Sequence, residues 1–124
     1  MNQVKTSNGT EARSWPGLDV FDREGDRIGR LIGIYGDRDE AAFGLVRTGL
    51  FGLRSVVVPL TGAFEEGSVL IVALDRRGVK GAPHLRRDEP LNDELEDELY
   101  AHYGLERDPD RRLELWEPEP AGRR

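Results

Sequence analysis

The chain predicts a mainly β fold, a small antiparallel barrel or sandwich followed by one amphipathic helix and an extended tail. Three observations carry this. Short apolar runs recur every 8–12 residues or so with glycine punctuation between them. From Leu91 the apolar period changes to four. Between two of the apolar runs, Val46 to Leu60 reads Val-Arg-Thr-Gly-Leu-Phe-Gly-Leu-Arg-Ser-Val-Val-Val-Pro-Leu. That turn carries large apolar residues where turns are ordinarily polar, so something must cover them.

The elements follow in order. Residues 1–14 are polar, lack the apolar core of a signal peptide, and read as a disordered leader. Leu18 to Phe21 forms a first strand, and Asp22 to Asp26 a turn in which Gly25 supplies a positive φ. Arg27 to Tyr35 is a second strand interrupted by Gly29 and Gly33, the mark of a bulge or a tight corner. Asp37 to Glu40 turns the chain into a third strand, Ala42 to Arg47, and Ser55 to Leu60 is a fourth. Phe64 precedes a polar turn, Glu65 to Ser68. Val69 to Leu74 is nearly continuous in apolar residues and reads as a central strand buried on both faces.

Leu91, Leu95, Leu99 and Tyr103 then share one face of a helix over 92–103. Asn92 is its N-cap, Asp93 and Glu94 suit its first turn, and Gly104 is its natural C′ residue. At about three turns this helix is marginal alone and should dock its stripe on the sheet. The turn at Phe51 is one seat for it; Leu50 and Leu53 stay open between that role and a partner surface. The remaining 106–124 is an acidic, proline-containing tail.

Composition narrows function. The 124 residues match one domain, and no cysteine is present, which excludes disulfides, thiolate metal sites and thiol catalysis. No apolar stretch nears the ~20 residues of a membrane helix, so a soluble cytoplasmic protein is expected. Residues 1–87 hold 13 basic against 11 acidic side chains, a net of +2; residues 88–124 hold 5 against 13, a net of −8. The acidic third disfavours nucleic acid.

No catalytic constellation is visible. His84 and His102 do not form metal-ligand or relay spacing, and a structural or solvated role is the expectation for both. The carboxylates Asp93, Glu94, Glu96, Asp97 and Glu98 are read as the solvated face of the helix, not a metal site. Neither Asp22–Asp26 nor Asp37–Glu40 follows a calcium-loop pattern. No catalytic residue, cofactor or metal is therefore expected. A basic cluster, Arg76, Arg77, Lys80, Arg86 and Arg87, is a candidate anion or RNA patch. It lacks interleaved aromatics for base stacking, and its neutralisation by the acidic helix is the preferred reading. Leu50, Phe51 and Leu53, together with Leu113, Leu115 and Trp116 of the tail, are the candidate interface. For the tail, packing on its own body or on a second copy is preferred over a motif for a foreign protein.

Taken together the motifs resemble the PRC-barrel family. The resemblance rests on Val20 to Arg30 (an apolar strand, a charged glycine turn, then Ile28-Gly29-Arg30), on Val46 to Gly52, on Val58-Pro59-Leu60, and on Ala82-Pro83. The helix and Leu99 to Leu105 look like small actinobacterial members. It covers about residues 15–105. The family includes the cytoplasmic domain of the photosynthetic reaction-centre H subunit and the C-terminal domain of the ribosome maturation factor RimM. The resemblance implies a six-stranded barrel and a non-enzymatic adaptor that binds a protein partner. The apolar turn, Trp116 in the tail and the lack of a convergent polar site make a homodimer one form of it. Neither specific role transfers: this sequence shows no membrane anchor and no N-terminal rRNA-processing domain. The alternative is an RNA- or ribosome-associated maturation factor.

Overall fold

The computed structural model describes residues 12–38, 40–49, 54–85 and 89–116. Its elements are β1 (Asp19–Phe21), β2 (Arg27–Gly36), β3 (Ala41–Thr48), β4 (Arg54–Pro59), β5 (Phe64–Glu66), β6 (Val69–Ile71), a 3-10 turn at Arg76–Val79, α1 (Asp93–His102) and β7 (Glu114–Leu115). The hydrogen-bonded path runs β4-β3-β2-β1-β6-β5, with β7 added to β2.

The mainly β class with one helix holds; the expected six-stranded antiparallel barrel differs in three respects. The sheet has seven strands and does not close, because three-residue β5 pairs with β6 while the outer edge of β4 is met by His84 at Val56. β6 runs parallel to β1, since the β5–β6 hairpin delivers it to the free side of β1 in the same direction. The seventh strand comes from the tail. β2 is ten residues long, and β1 pairs only its Arg27–Arg30 half, leaving Tyr35 and Gly36 to pair with β7. Val69 to Leu74 also departs from a strand buried on both faces. Its ladder ends at Ile71; Leu70 and Val72 are buried, Val69 and Ile71 are half-buried, and Ala73 is exposed.

Period two explains the two cores. On β4, Val56 and Val58 point into one cluster with Trp15, Val20, Leu31, Ile34, Val46, Leu60 and Leu70. Val57 points into the other, with Tyr35, Phe43, Leu45, Leu85, Leu99 and Leu113. Residues 41–46 of β3 are therefore buried on both faces.

The second face is covered by α1. Asn92 caps it, its Oδ1 accepting from Leu95 N at 2.8 Å, and Gly104 beyond its end has φ +68°. Leu99 is fully buried, Leu91, Leu95 and Tyr103 pack against the cluster, and Tyr103 donates its hydroxyl to Val57 O at 2.5 Å. Tyr100 adds an edge-to-face contact with Phe43, with centroids 5.2 Å apart. The docking stripe is thus the expected one, widened by Tyr100. The turn at Leu50, Phe51 and Leu53 lies outside the described residues.

Gly25 takes φ +93°, as its turn requires, and Asp22 Oδ1 accepts the backbone N–H groups of Glu24 and Asp26 there. Gly33 sits at a register shift between Leu31 and Gly33, so the expected bulge is present. Ala12, within the sequence assigned to the leader, is buried beside Trp15 in the first cluster.

Candidate functional site

The strand ends and the 3-10 turn enclose an open cleft of about 780 Å³. Strand order sets its layout. Arg54 and Val56 come from β4, Thr48 and Gly49 from the end of β3, Ile28 from β2, and Glu24 and Asp26 from the β1–β2 turn. Arg77, Val79 and Lys80 come from the 3-10 turn and its exit, and His84 from the segment bridged to β4. The cleft is therefore bipolar. Arg54 and His84 stand on the β4 side, and two carboxylates stand on the β1–β2 side, two strands away. Ile28, Val56 and Val79 form an apolar floor. Arg77 also lines a smaller depression with Asp22, Glu24, Asp26 and Asp75.

Charges here are held differently from charges elsewhere. Among the described residues, no ion pair engages Arg54, Arg77 or Lys80. Arg23 beside them pairs with Asp75 at 3.0 Å, and that carboxylate draws the guanidinium pKa further up. His84 donates Nδ1–H to Ser55 O at 3.1 Å, which fixes its ring beside β4, because a carbonyl can only accept. His102 likewise donates Nε2–H to Gly78 O at 2.9 Å, tying the end of α1 to the 3-10 turn. Both histidines thus have structural partners.

Of the basic cluster, Arg77 and Lys80 reach the cleft. Arg86, Arg87 and the side chain of Arg76 lie outside the described residues. The acidic helix does not neutralise Arg77 or Lys80. Its carboxylates take Arg107 from the tail: Asp97 at 2.7 Å, Asp93 at 2.9 Å and Glu96 at 3.3 Å. Folding back of the tail places this arginine on the helix, a long-range event that the sequence does not mark. Glu96 is accordingly not on a solvated face; it is 6% exposed. Burial pushes its carboxyl up, more than Arg107 lowers it.

The tail half of the candidate interface is occupied by its own body. Leu113 is buried; Leu115 and Trp116 are half-buried against the two clusters. The Trp116 ring covers Gly36, where an added Cβ would stand 2.9 Å from Cζ2, and its Nε1–H donates to Asp37 O at 3.1 Å. The Arg13 guanidinium carbon lies over the ring, 4.1 Å from its centroid. Arg111 anchors the segment on Asp37 at 2.8 Å and Glu40 at 3.2 Å.

The residues that sequence reasoning missed are Arg54, His84, Glu24 and Asp26 as cleft walls. Period two could have placed Arg54 and Val56 on one face of β4. Nothing local could have brought residue 24 near residue 84.

Compared with known proteins, the chain matches no family model and no curated protein.

Proposed function

We propose that the chain is a non-enzymatic protein–protein interaction module of PRC-barrel type, acting in the cytoplasm and taking an extended partner segment of mixed charge in the cleft. The bipolar cleft carries this reading. Arg54, engaged by no ion pair among the described residues, stands with His84 on the β4 side; Glu24 and Asp26 stand on the β1–β2 side with Arg77 next to them, and an apolar floor lies between. A polypeptide presenting an acid, an apolar residue and a base in sequence complements all three. The order of the motifs from Val20 to Leu105 and the helix packed on the outer face of the sheet support the family assignment. No helix among the described residues is long and apolar enough to cross a membrane.

The second reading, an RNA- or ribosome-associated factor, is favoured by Arg54, Arg77 and Lys80 sharing one cleft. A polyanion entering there meets Glu24 and Asp26, and like charges at close range oppose it. One affinity capture from the native cell, with and without ribonuclease, distinguishes the readings. The adaptor reading expects a protein retained after ribonuclease and lost from Arg54→Glu/Lys80→Glu. Retention that disappears with ribonuclease and weakens steeply with salt overturns it in favour of RNA.

A further inference from the structure

At the other end of the β2–β3 hairpin, away from the cleft, the chain's own tail covers the half of β2 that β1 leaves free. Within residues 111–116, Glu114 and Leu115 pair with Gly36 and Tyr35 as the added strand β7, the geometry by which extended peptides dock on sheet edges. Each alternate position has its own seat. Arg111 enters the carboxylate pair Asp37 and Glu40. Leu113 is buried in the cluster of Tyr35 and Leu99. Leu115 meets the space that Gly33 leaves open, 3.4 Å from where a Cβ would stand. Trp116 N–H donates to Ile34 O at 2.8 Å, and its ring lies close to Gly36 and beneath the Arg13 guanidinium. Charge, shape and hydrogen bonding in this seat all match Arg-x-Leu-x-Leu-Trp.

The segment reaches its seat through an exposed connector. Arg107 is fixed to α1, and Arg111 to the β2–β3 turn. Between them Asp108, Pro109 and Asp110 are exposed and form one turn, with Arg111 N donating to Asp108 O. Nothing in the seat distinguishes this chain's own segment from the same segment of a second copy. Exchange replaces every contact with an identical one and rearranges only the connector.

We propose that the β2 edge at Ile34–Gly36 is a peptide-binding groove for the Arg111–Trp116 segment of a second copy, giving a strand-exchanged dimer in equilibrium with the self-closed monomer. The balance is one of effective concentration. A connector of only three residues keeps its own segment at about a millimolar effective concentration or higher, so closure wins at micromolar protein. Shortening the connector removes that advantage without touching the groove.

The test is sedimentation of the full-length chain and of a variant lacking Asp108, Pro109 and Asp110, which removes about 10 Å of reach. The parent is expected to be monomeric at micromolar concentration and the deletion variant dimeric. Adding Leu113→Asp to the deletion variant, which puts a charge into the buried seat of the segment, should abolish its dimer. A deletion variant that stays monomeric while folded by circular dichroism overturns the proposal. If that variant does not fold, the full-length Trp116→Ala chain serves as receptor for a labelled peptide spanning Pro109–Trp116. Binding at least tenfold tighter than to the parent, lost when the peptide carries Leu113→Asp, supports the proposal. Absence of binding to the folded Trp116→Ala chain, or binding that Leu113→Asp in the peptide leaves unchanged, overturns it.

Discussion

The two ends of the β2–β3 hairpin are built from the same materials and finished differently. At the Gly36–Ala41 end, a glycine surface, two carboxylates and an apolar seat are filled by the tail, and Arg111 satisfies both acids. At the Ile28–Thr48 end, an apolar floor lies under Arg54, Arg77 and Lys80, and no ion pair engages these three among the described residues. The charges under the tail are paired, whereas Arg54, Arg77 and Lys80 have no ion pair among the described residues, although Arg23 pairs with Asp75 away from the tail. An ordinary count of charged residues blurs that distinction, because arginines occur at both ends.

The largest effect should come from filling the occupied end. Gly36→Val places a Cβ against the Glu40 backbone oxygen and the Trp116 ring, and backbone cannot step aside cheaply. A loss of about 3 kcal/mol in urea unfolding is expected. Removing the occupant should cost somewhat less. Trp116→Ala gives up a half-buried indole and the bond to Asp37 O, about 2 kcal/mol, read in the same experiment. Arg111→Ala breaks one clamp that is partly open to solvent and should cost about 1 kcal/mol, shrinking as salt is raised.

Glu96 gives a smaller effect with a definite sign. Its raised carboxyl pKa means the folded state holds this proton more tightly than the unfolded chain. Its stabilising contribution is therefore present below the ordinary value of 4.5 and is lost as pH rises through the raised value. Glu96→Gln and the parent should melt alike at pH 4, with the variant ahead by a growing margin toward pH 7. A margin that shrinks with rising pH would sink this assignment. Smallest of all, Arg77→Ala with Lys80→Ala should shift unfolding by no more than about 0.5 kcal/mol while weakening partner capture. A large destabilisation there would show that the cleft cations are structural after all, and would erase the contrast between the two ends.

Much of the fold is written locally. Asn92 and Gly104 bracket α1 because a cap needs only the neighbouring backbone. The stripe at 91, 95, 99 and 103 follows from helical period, and Gly25 from the turn it closes. Other features cannot be read that way. The run Val69 to Leu74 is apolar enough for a strand buried on both faces, yet it is half-buried, because only its neighbours decide what covers it. Glu96 sits among five acids and looks solvated until Arg107 folds back over it.

The sequence by itself therefore determined strands β1 to β4, the turn at Gly25, the helix with its caps, and a mainly β class; it did not determine β5, whose Glu65 and Glu66 read as a polar turn, nor β7, which read as tail. The features it did determine depend on residues within a few positions of one another, where sterics and period act directly. Tertiary structure alone decided that β6 runs parallel to β1, that the sheet stays open, and that the tail becomes β7. It also decided which arginines are spent on structure and which face the cleft. Strand pairing and ion pairing join residues tens of positions apart, and local sequence carries no information about which distant partner reaches them first.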